Sequence, residues 1–186
     1  MSEDKKEKLI IKTEENTKIS EILKDQIKES EFPVVGAKFN NEYKNLDYPL
    51  EESGKIELID INSKEGMKIY RRTLTFIMGK AFWLTYPRAH VIVDYQLSNA
   101  MYCSIENMEV TDKMLEKVKA KMQELIDADL KIEKRTMNRE EAEKFYAKTN
   151  SPKGRLQFDL KDNDEINMYY CKDYYNYFYE TIATHT

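Results

Sequence analysis

The sequence predicts an α+β fold in two domains, and three observations predict it. Residues 8–61 alternate between short apolar strands and one short amphipathic helix, two long amphipathic helices follow, and the last segment is an aromatic-rich strand. A chain of 186 residues, of which 41% are hydrophobic, can bury one moderate core or two small ones. We therefore expect a domain over residues 1–62 and a second domain over residues 63–186.

The first domain is predicted to be a small sheet crossed by one helix. The helix is indicated by the spacing of Ile19, Ile22, Leu23 and Ile27. The strands are expected at Lys8–Thr13, Val34–Phe39 and Lys55–Ile61, with a turn at Asn40–Asn41 and a connection at Asn45–Leu50. One helix crossing a small mixed sheet is a β-grasp pattern.

The second domain is predicted to begin with a long helix that Ser63 caps and Pro87 ends. Its expected apolar stripe consists of Met67, Tyr70, Leu74, Ile77, Ala81 and Leu84. A hairpin of His90–Tyr95 and Met101–Ile105, with its turn near Ser98–Asn99, should follow. Thr111 is expected to cap a second long helix, whose apolar face is Leu115, Val118, Met122, Leu125 and Ile126.

The remaining residues are predicted to form strands around a third helix. Lys131–Met137 should be extended, and Asn138 with Glu141 resembles a capping box at the start of a helix over Arg139–Lys148. After that helix we expect a loop at Asn150–Gly154 and strands at Glu165–Cys171 and Tyr174–Glu180.

Charge and composition exclude several classes of function. The formal net charge of −4 provides no global basic field for nucleic acid or membrane, and no segment has the length of a membrane span. Cys103 and Cys171 are too few and too far apart for a disulfide framework or a metal knuckle. His90 and His185 do not pair at helical spacing, so we expect both at the surface. These features predict a cytoplasmic protein.

The residues also resemble two domains of threonyl-tRNA synthetases. The run Gly36–Asn41 is similar to a motif of the TGS domain, the ubiquitin-like β-grasp module of that family. The segment beginning Glu65-Gly66, the pair Tyr86-Pro87 and the run Asp129–Lys134 resemble the family's editing domain, which hydrolyses mischarged tRNA. The resemblance covers nearly all of residues 8–186. It implies a TGS domain followed by an editing-like α+β domain.

The metal ligands of that editing domain are absent from this sequence. Arg72, Phe76, Phe178 and Ile182 stand at the four positions where the resemblance implies ligands. Zinc needs imidazole, thiolate or carboxylate donors, and these four side chains offer none. We therefore expect no metal, no catalytic residue and no cofactor in this chain.

The amino-acid sequences of Ile69–Phe76 and Tyr169–Tyr179 most resemble the N-terminal region of bacterial uridine kinase-like proteins. In those proteins the two domains precede a P-loop nucleoside kinase. No Gly-x-x-x-x-Gly-Lys-Ser/Thr motif is present here, so ATP and magnesium are expected in a missing C-terminal kinase domain, which would be the partner of this chain. The resemblance implies a non-catalytic accessory region that senses ligands, docks or forms homo-oligomers. The alternative is a tRNA-binding module related to threonyl-tRNA synthetase.

Each of three groups of residues has two possible roles, one in binding and one in structure. Arg72 could grip a phosphate or a carboxylate, or form an ion pair with Asp94 or Asp173. The aromatic strand could offer a cleft for a small ligand, formed by Arg72, Asp173, Tyr175, Tyr177 and Tyr179, or it could provide packing, with Tyr174 and Phe178 filling the old metal cleft. The third group could track an RNA backbone or belong to solvated surfaces, and it consists of Lys113, Lys117, Lys119, Lys121, Lys131, Lys134 and Arg135.

Overall fold

The computed structural model describes residues 9–11, 16–98, 100–147 and 165–186. They form two compact units, of which the first contains the described residues of Met1–Lys131 together with Thr181–Thr186. The second unit contains the described residues of Ile132–Glu180. The mixture of helices and small sheets agrees with the predicted α+β class. The domain boundary predicted after residue 62 lies inside the first unit and stays a prediction.

The first unit opens with a small sheet and two short helices. Its elements are β1 (Leu9–Ile11), β2 (Thr17–Lys18), α1 (Ile19–Ile22), α2 (Lys24–Glu29), β3 (Val34–Phe39), β4 (Glu42–Lys44), β5 (Pro49–Leu50) and β6 (Gly54–Asp60). The main sheet has the order β1-β6-β3-β4, and β2 pairs with β5. Every pairing among the described strands of the main sheet is antiparallel, so the predicted mixed sheet is wrong. β1 and β3 run in the same direction, but β6 lies between them and pairs with both.

Local sequence signals account for much of this unit. Asn40 and Asn41 have positive φ angles of 45° and 70°, which a tight hairpin turn requires, and the predicted turn is confirmed. The predicted single helix is instead two short helices separated at Leu23, which is buried with Ile19 against the sheet. The connection at Asn45–Leu50 ends in β5, because Leu50 is fully buried in the same core.

The first unit continues with α3 (Lys64–Thr85), β7 (Val91–Leu97), β8 (Ala100–Ile105) and α4 (Asp112–Asp127). Both predicted caps are confirmed. The Ser63 Oγ accepts a hydrogen bond from the Gly66 amide at 3.1 Å, and the Thr111 Oγ1 accepts one from the Met114 amide at 3.3 Å. The predicted hairpin is also confirmed, because β7 and β8 pair as antiparallel strands.

The apolar stripes predicted for the two long helices are only partly right. In α3, Tyr70 and Leu84 are 40% and 47% exposed, while Ile69 and Phe76 are buried. The helix contacts β3 and β6 as well as α4, so its buried surface is wider than one stripe and is rotated from the predicted one. In α4, the predicted Leu115 is 49% exposed, and Met114 is buried beside Val118 and Leu125 instead.

The described residues of the second unit form a three-stranded sheet and one helix. It contains β9 (Glu133–Asn138), α5 (Arg139–Ala147), β10 (Glu165–Cys171) and β11 (Tyr174–Tyr177), with the strand order β11-β10-β9. The predicted capping box is confirmed: the Glu141 amide donates to Asn138 Oδ1 at 2.9 Å, and the Asn138 amide donates to Glu141 Oε2 at 3.2 Å. The last strand ends at Tyr177, before the predicted Glu180. The loop predicted at Asn150–Gly154 lies outside the described residues.

Candidate functional site

The Glu65-Gly66 pair lies in the first turn of α3, which carries Arg72 and Phe76, two of the positions at which the resemblance implies metal ligands. A Cβ atom on Gly66 would lie 1.8 Å from the carbonyl oxygen of Asp60, so only glycine fits there. The Asp60 carbonyl oxygen also accepts a hydrogen bond from the Ser63 hydroxyl at 2.7 Å. These contacts fix the end of β6 against the first turn of α3 and thereby set the helix register.

Two consecutive residues of α3 hold the last segment of the chain. The Arg72 guanidinium donates a hydrogen bond to the carbonyl oxygen of Thr181. The Thr73 Oγ1, buried in the helix, accepts a hydrogen bond from the Ala183 amide at 3.0 Å and donates to the Ile69 carbonyl at 2.8 Å. Because both of its neighbours are bonded to α3, Ile182 is held against that helix. Sequence reasoning did not identify Thr73, since nothing local marks its distant partner.

The four positions at which the resemblance implies metal ligands hold one cationic and three apolar side chains. Phe76, one turn beyond Arg72, and Ile182 are both fully buried in the first unit. Phe178 lies in the second unit, where its ring packs edge-on against Tyr169 with centroids 6.2 Å apart. None of these side chains has a donor suited to zinc, so the residues present do not fit that metal. Among the described residues, no group of three or more His, Cys, Asp or Glu could hold one.

The two histidines lie apart from this helix face. His90 Nδ1 is 3.6 Å from the Glu106 carboxylate beside the hairpin. His185 forms an antiparallel bridge with Lys131, and its ring nitrogen lies 3.2 Å from the Thr184 hydroxyl. Both are at least partly exposed, as expected, and neither offers a second imidazole for a site.

The aromatic strand contributes mainly to packing in the second unit. Tyr175 and Tyr177 project from β11 against the buried cluster of Ala142, Ile166 and Met168. Burial raises the pKa of the Tyr174 hydroxyl, which accepts a hydrogen bond from the Asn176 amide group at 3.3 Å. These contacts support the packing interpretation of the strand.

The remaining members of the predicted ligand cleft are more exposed. Asp173 lies in the turn between β10 and β11, and Tyr179 is 67% exposed. Arg72 belongs to the first unit, whereas Asp173, Tyr175, Tyr177 and Tyr179 belong to the second. The shared cleft and the ion pair of Arg72 with Asp94 or Asp173 therefore stay predictions, and one partner of the Arg72 guanidinium is the Thr181 carbonyl oxygen.

Some of the predicted basic residues form ion pairs, and others are exposed on one flank of α4. Lys131 lies 3.6 Å from Asp47, and Arg135 lies 3.3 Å from Glu133 with its guanidinium over the Tyr170 ring. Lys121 pairs with Glu124 one turn along α4. Lys113 and Lys117 are exposed and carry no ion pair in the described part of the chain.

Helical spacing places Lys113, Lys117 and Lys121 on one flank of α4, which we call the basic flank, and Lys119 on the other flank. The Lys117 Nζ lies 5.1 Å from the centre of the Tyr86 ring, just after α3. Arg88, also exposed, follows Tyr86 by two residues. The basic flank and the end of α3 thus form one cationic surface within the first unit.

Comparison with known proteins identifies relatives of this chain. No protein-family model matches it. A threonine–tRNA ligase of Acetivibrio thermocellus is 32% identical over 137 residues, which are 73% of this chain and 22% of the ligase. The ligase of Clostridium kluyveri is 30% identical over 142 residues, 75% of this chain and 22% of that protein. That of Clostridium tetani is 29% identical over 167 residues, 89% of this chain and 26% of the ligase.

The homologues of this chain are threonine–tRNA ligases. The chain spans about a quarter of the length of these curated relatives. The relationship supports the predicted resemblance to threonyl-tRNA synthetases, but none of these relatives supports a uridine kinase parent. Within the described residues, no helix is long and apolar enough to cross a membrane.

Proposed function

We propose that this chain is a tRNA-binding module related to the N-terminal part of threonine–tRNA ligases, without metal-dependent hydrolysis. The observation that carries the proposal is the similarity to these ligases over about three quarters of the chain. The finer assignment, a TGS β-grasp domain followed by an editing-like domain, is part of the same proposal. It is supported by Gly66 at the start of α3 and by the position of the C-terminal segment on that helix.

The absence of hydrolysis is proposed from the chemistry of the former ligand positions. A metal-activated water needs at least three nitrogen, sulfur or oxygen donors around one ion. Phe76 and Ile182 are fully buried hydrocarbon, and the Arg72 guanidinium repels a cation and already donates to a backbone carbonyl. The site therefore stabilises the fold where a related enzyme would place its metal.

The basic flank of α4 is the surface that we propose contacts tRNA. Lys113, Lys117 and Arg88 are exposed cations that can each approach a phosphate. Glu116 and Asp127 lie on the solvent-facing side of α4 between the two flanks, whereas Glu124 lies on the basic flank and pairs with Lys121. A local basic surface can thus exist on a chain whose net charge is −4, and it would give binding that depends steeply on salt.

Fluorescence anisotropy with labelled tRNA at several salt concentrations tests this proposal. The double variant Lys113→Gln/Lys117→Gln should weaken binding about tenfold or more at low salt. It should also reduce the slope of log affinity against log salt by roughly 1.8, because each lost phosphate contact contributes about 0.9.

A matched control removes the same charge from other surfaces. Lys55 and Lys119 are exposed and lie on β6 and on the opposite flank of α4. The variant Lys55→Gln/Lys119→Gln should keep the wild-type affinity and slope. Equal loss in both variants, or wild-type binding that does not change with salt, would contradict the proposed surface.

The nucleoside-kinase interpretation remains a second prediction about the parent protein. Its support is the resemblance of Ile69–Phe76 and Tyr169–Tyr179, and the named relatives do not add to it. Under that interpretation the kinase domain would supply the ATP and magnesium chemistry. Nucleoside or nucleotide binding to this chain, measured by calorimetry and lost in Arg72→Ala, would favour it over the tRNA module.

A further inference from the structure

The turn between α3 and β7 carries Arg88 at its tip. The Ala89 amide donates to the Tyr86 carbonyl at 2.8 Å, which closes a β-turn with Pro87 in its second position and Arg88 in its third. Proline favours that second position because its ring fixes the φ angle that the turn needs. Tyr86 and Ala89 pack against the apolar cluster between α3 and α4, whereas Pro87 and Arg88 are exposed. The turn is thus anchored at both ends and presents Arg88 to solvent.

The side chain of Asn107, which follows β8, binds the backbone of this turn in two places. Its Nδ2 donates a hydrogen bond to the Arg88 carbonyl oxygen, and its Oδ1 accepts one from the His90 amide at 2.8 Å. One carboxamide therefore serves an acceptor and a donor that lie two residues apart. The Glu106 amide also donates to the His90 carbonyl at 3.1 Å, so the segment after the turn is held at both backbone groups of His90.

The same turn contacts the basic flank of α4 through Tyr86. The Lys117 Nζ lies 5.1 Å from the centre of the Tyr86 ring, where the electrons of the ring attract the ammonium group. Arg88 follows Tyr86 by two residues in the turn that Asn107 holds. Lys117 and Arg88 are therefore both tied to one short stretch of backbone, and Asn107 fixes that stretch from the other side.

Fixing a turn before binding strengthens the interactions that its side chains make. A loop that becomes ordered only when its ligand arrives loses conformational entropy at that moment, and the loss weakens binding. A loop that is already held by hydrogen bonds loses less. The two bonds from Asn107 can thus raise the affinity of Arg88 for a phosphate, although Asn107 has no charge of its own.

We propose that Asn107 is a positioning residue of the tRNA-binding surface, which holds the Arg88 turn in place for a phosphate of the tRNA backbone. The proposal rests on the proposed function, because it requires that Arg88 and the basic flank contact tRNA. It adds a residue that lies outside both and acts on tRNA through the backbone of Arg88. Nothing in the sequence near Asn107 marks this role, since its partners are 17 and 19 residues away.

Fluorescence anisotropy with labelled tRNA at several salt concentrations measures the effect. Asn107→Ala removes both hydrogen bonds without changing the charge, and it leaves no cavity because Asn107 is exposed. It should weaken binding about two- to tenfold, the range expected when a loop and side chain must be ordered on binding. The slope of log affinity against log salt should stay at the wild-type value, because the number of phosphate contacts is unchanged. Arg88→Gln should instead lower that slope by about 0.9.

A double-mutant comparison separates positioning from a general loss of structure. If Asn107 acts through Arg88, adding Asn107→Ala to Arg88→Gln should change the affinity by less than about twofold, because the contact that it supports is already gone. Gln96→Ala is the matched control. The Gln96 Nε2 donates to the Ser98 carbonyl at 2.7 Å, so this variant removes a similar amide-to-backbone bond at the other end of the β7–β8 hairpin. It should bind tRNA as the wild type does.

Two kinds of failure can be told apart in this experiment. Wild-type affinity in Asn107→Ala, or the same fold loss in the presence of Arg88 and in Arg88→Gln, would overturn the positioning role and leave the tRNA surface intact. If the wild-type chain binds tRNA without salt dependence, or if Lys113→Gln/Lys117→Gln binds as the wild type does, the proposed surface itself is wrong. The role of Asn107 would then be overturned with it.

Discussion

Replacing Thr73 by valine removes one hydroxyl from the contact that holds the C-terminal segment on α3. The Thr73 Oγ1 is 3.0 Å from the Ala183 amide, and the residue is only 6% exposed. Valine has the same shape but cannot accept that hydrogen bond, so the Ala183 amide loses its partner. An unsatisfied buried donor costs about 1–3 kcal/mol. For a chain of this size we expect the melting temperature to fall by about 2–12 °C.

Thermal unfolding followed by the fluorescence of Trp83, the single tryptophan, measures this loss. Hydrogen exchange of the Ala183 amide should rise in the same variant. Thr75→Val is the matched control, since the Thr75 hydroxyl donates to the Arg71 carbonyl within the helix and accepts no backbone amide of a described residue. If Thr73→Val melts with Thr75→Val and wild type, and Ala183 stays protected, the proposed anchoring of the segment is wrong.

Three further changes test other contacts. Gly66→Ala should destabilise the first unit by about 3 kcal/mol or prevent folding, because its Cβ would overlap the Asp60 carbonyl; a soluble variant with wild-type circular dichroism and melting would contradict this. Asn138→Ala should lower the free energy of unfolding, measured in urea, by about 1 kcal/mol, and Asn138→Ser should recover most of that loss. An Asn138→Ala variant as stable as wild type would contradict a stabilising capping box. Burial raises the pKa of Tyr174, so its contribution to stability is complete below pH 10 and is lost as pH rises above that; Tyr174→Phe should remove this part of the alkaline loss, and identical pH profiles would refute it.

The parts of the fold that depend on local contacts could be predicted from the sequence. The caps at Ser63, Thr111 and Asn138 each join residues three positions apart, so a short pattern contains both partners. The turn at Asn40–Asn41 follows from residues that tolerate positive φ angles. The hairpin strand β4 was not predicted, since its three residues are largely exposed and carry no apolar pattern.

The parts that depend on distant contacts could not be predicted in this way. The partner of Thr73 is 110 residues away, and the burial of α3 on several surfaces is a property of the assembled unit. The pairing of β7 with β8 shifts register between Val93 and Tyr95, which leaves Asp94 as a β-bulge, and Tyr95 is 56% exposed. The apolar alternation from Val91 to Leu97 continues through this point, so no local signal in the sequence marks the bulge. At the candidate site, the bond from Arg72 to the Thr181 carbonyl could not be predicted, since its partner is 109 residues away, and the replacement of metal ligands stays a prediction.

The most direct test of the proposed function follows the fate of an aminoacyl-tRNA that the chain has bound. A tRNA carrying a mischarged amino acid would be incubated with excess chain, with zinc and then with a chelator, and the intact ester measured on acid gels. We predict that the tRNA is retained by the chain and that its ester decays at the rate of free tRNA under both conditions. Faster hydrolysis that zinc supports and the chelator abolishes would contradict the proposed function.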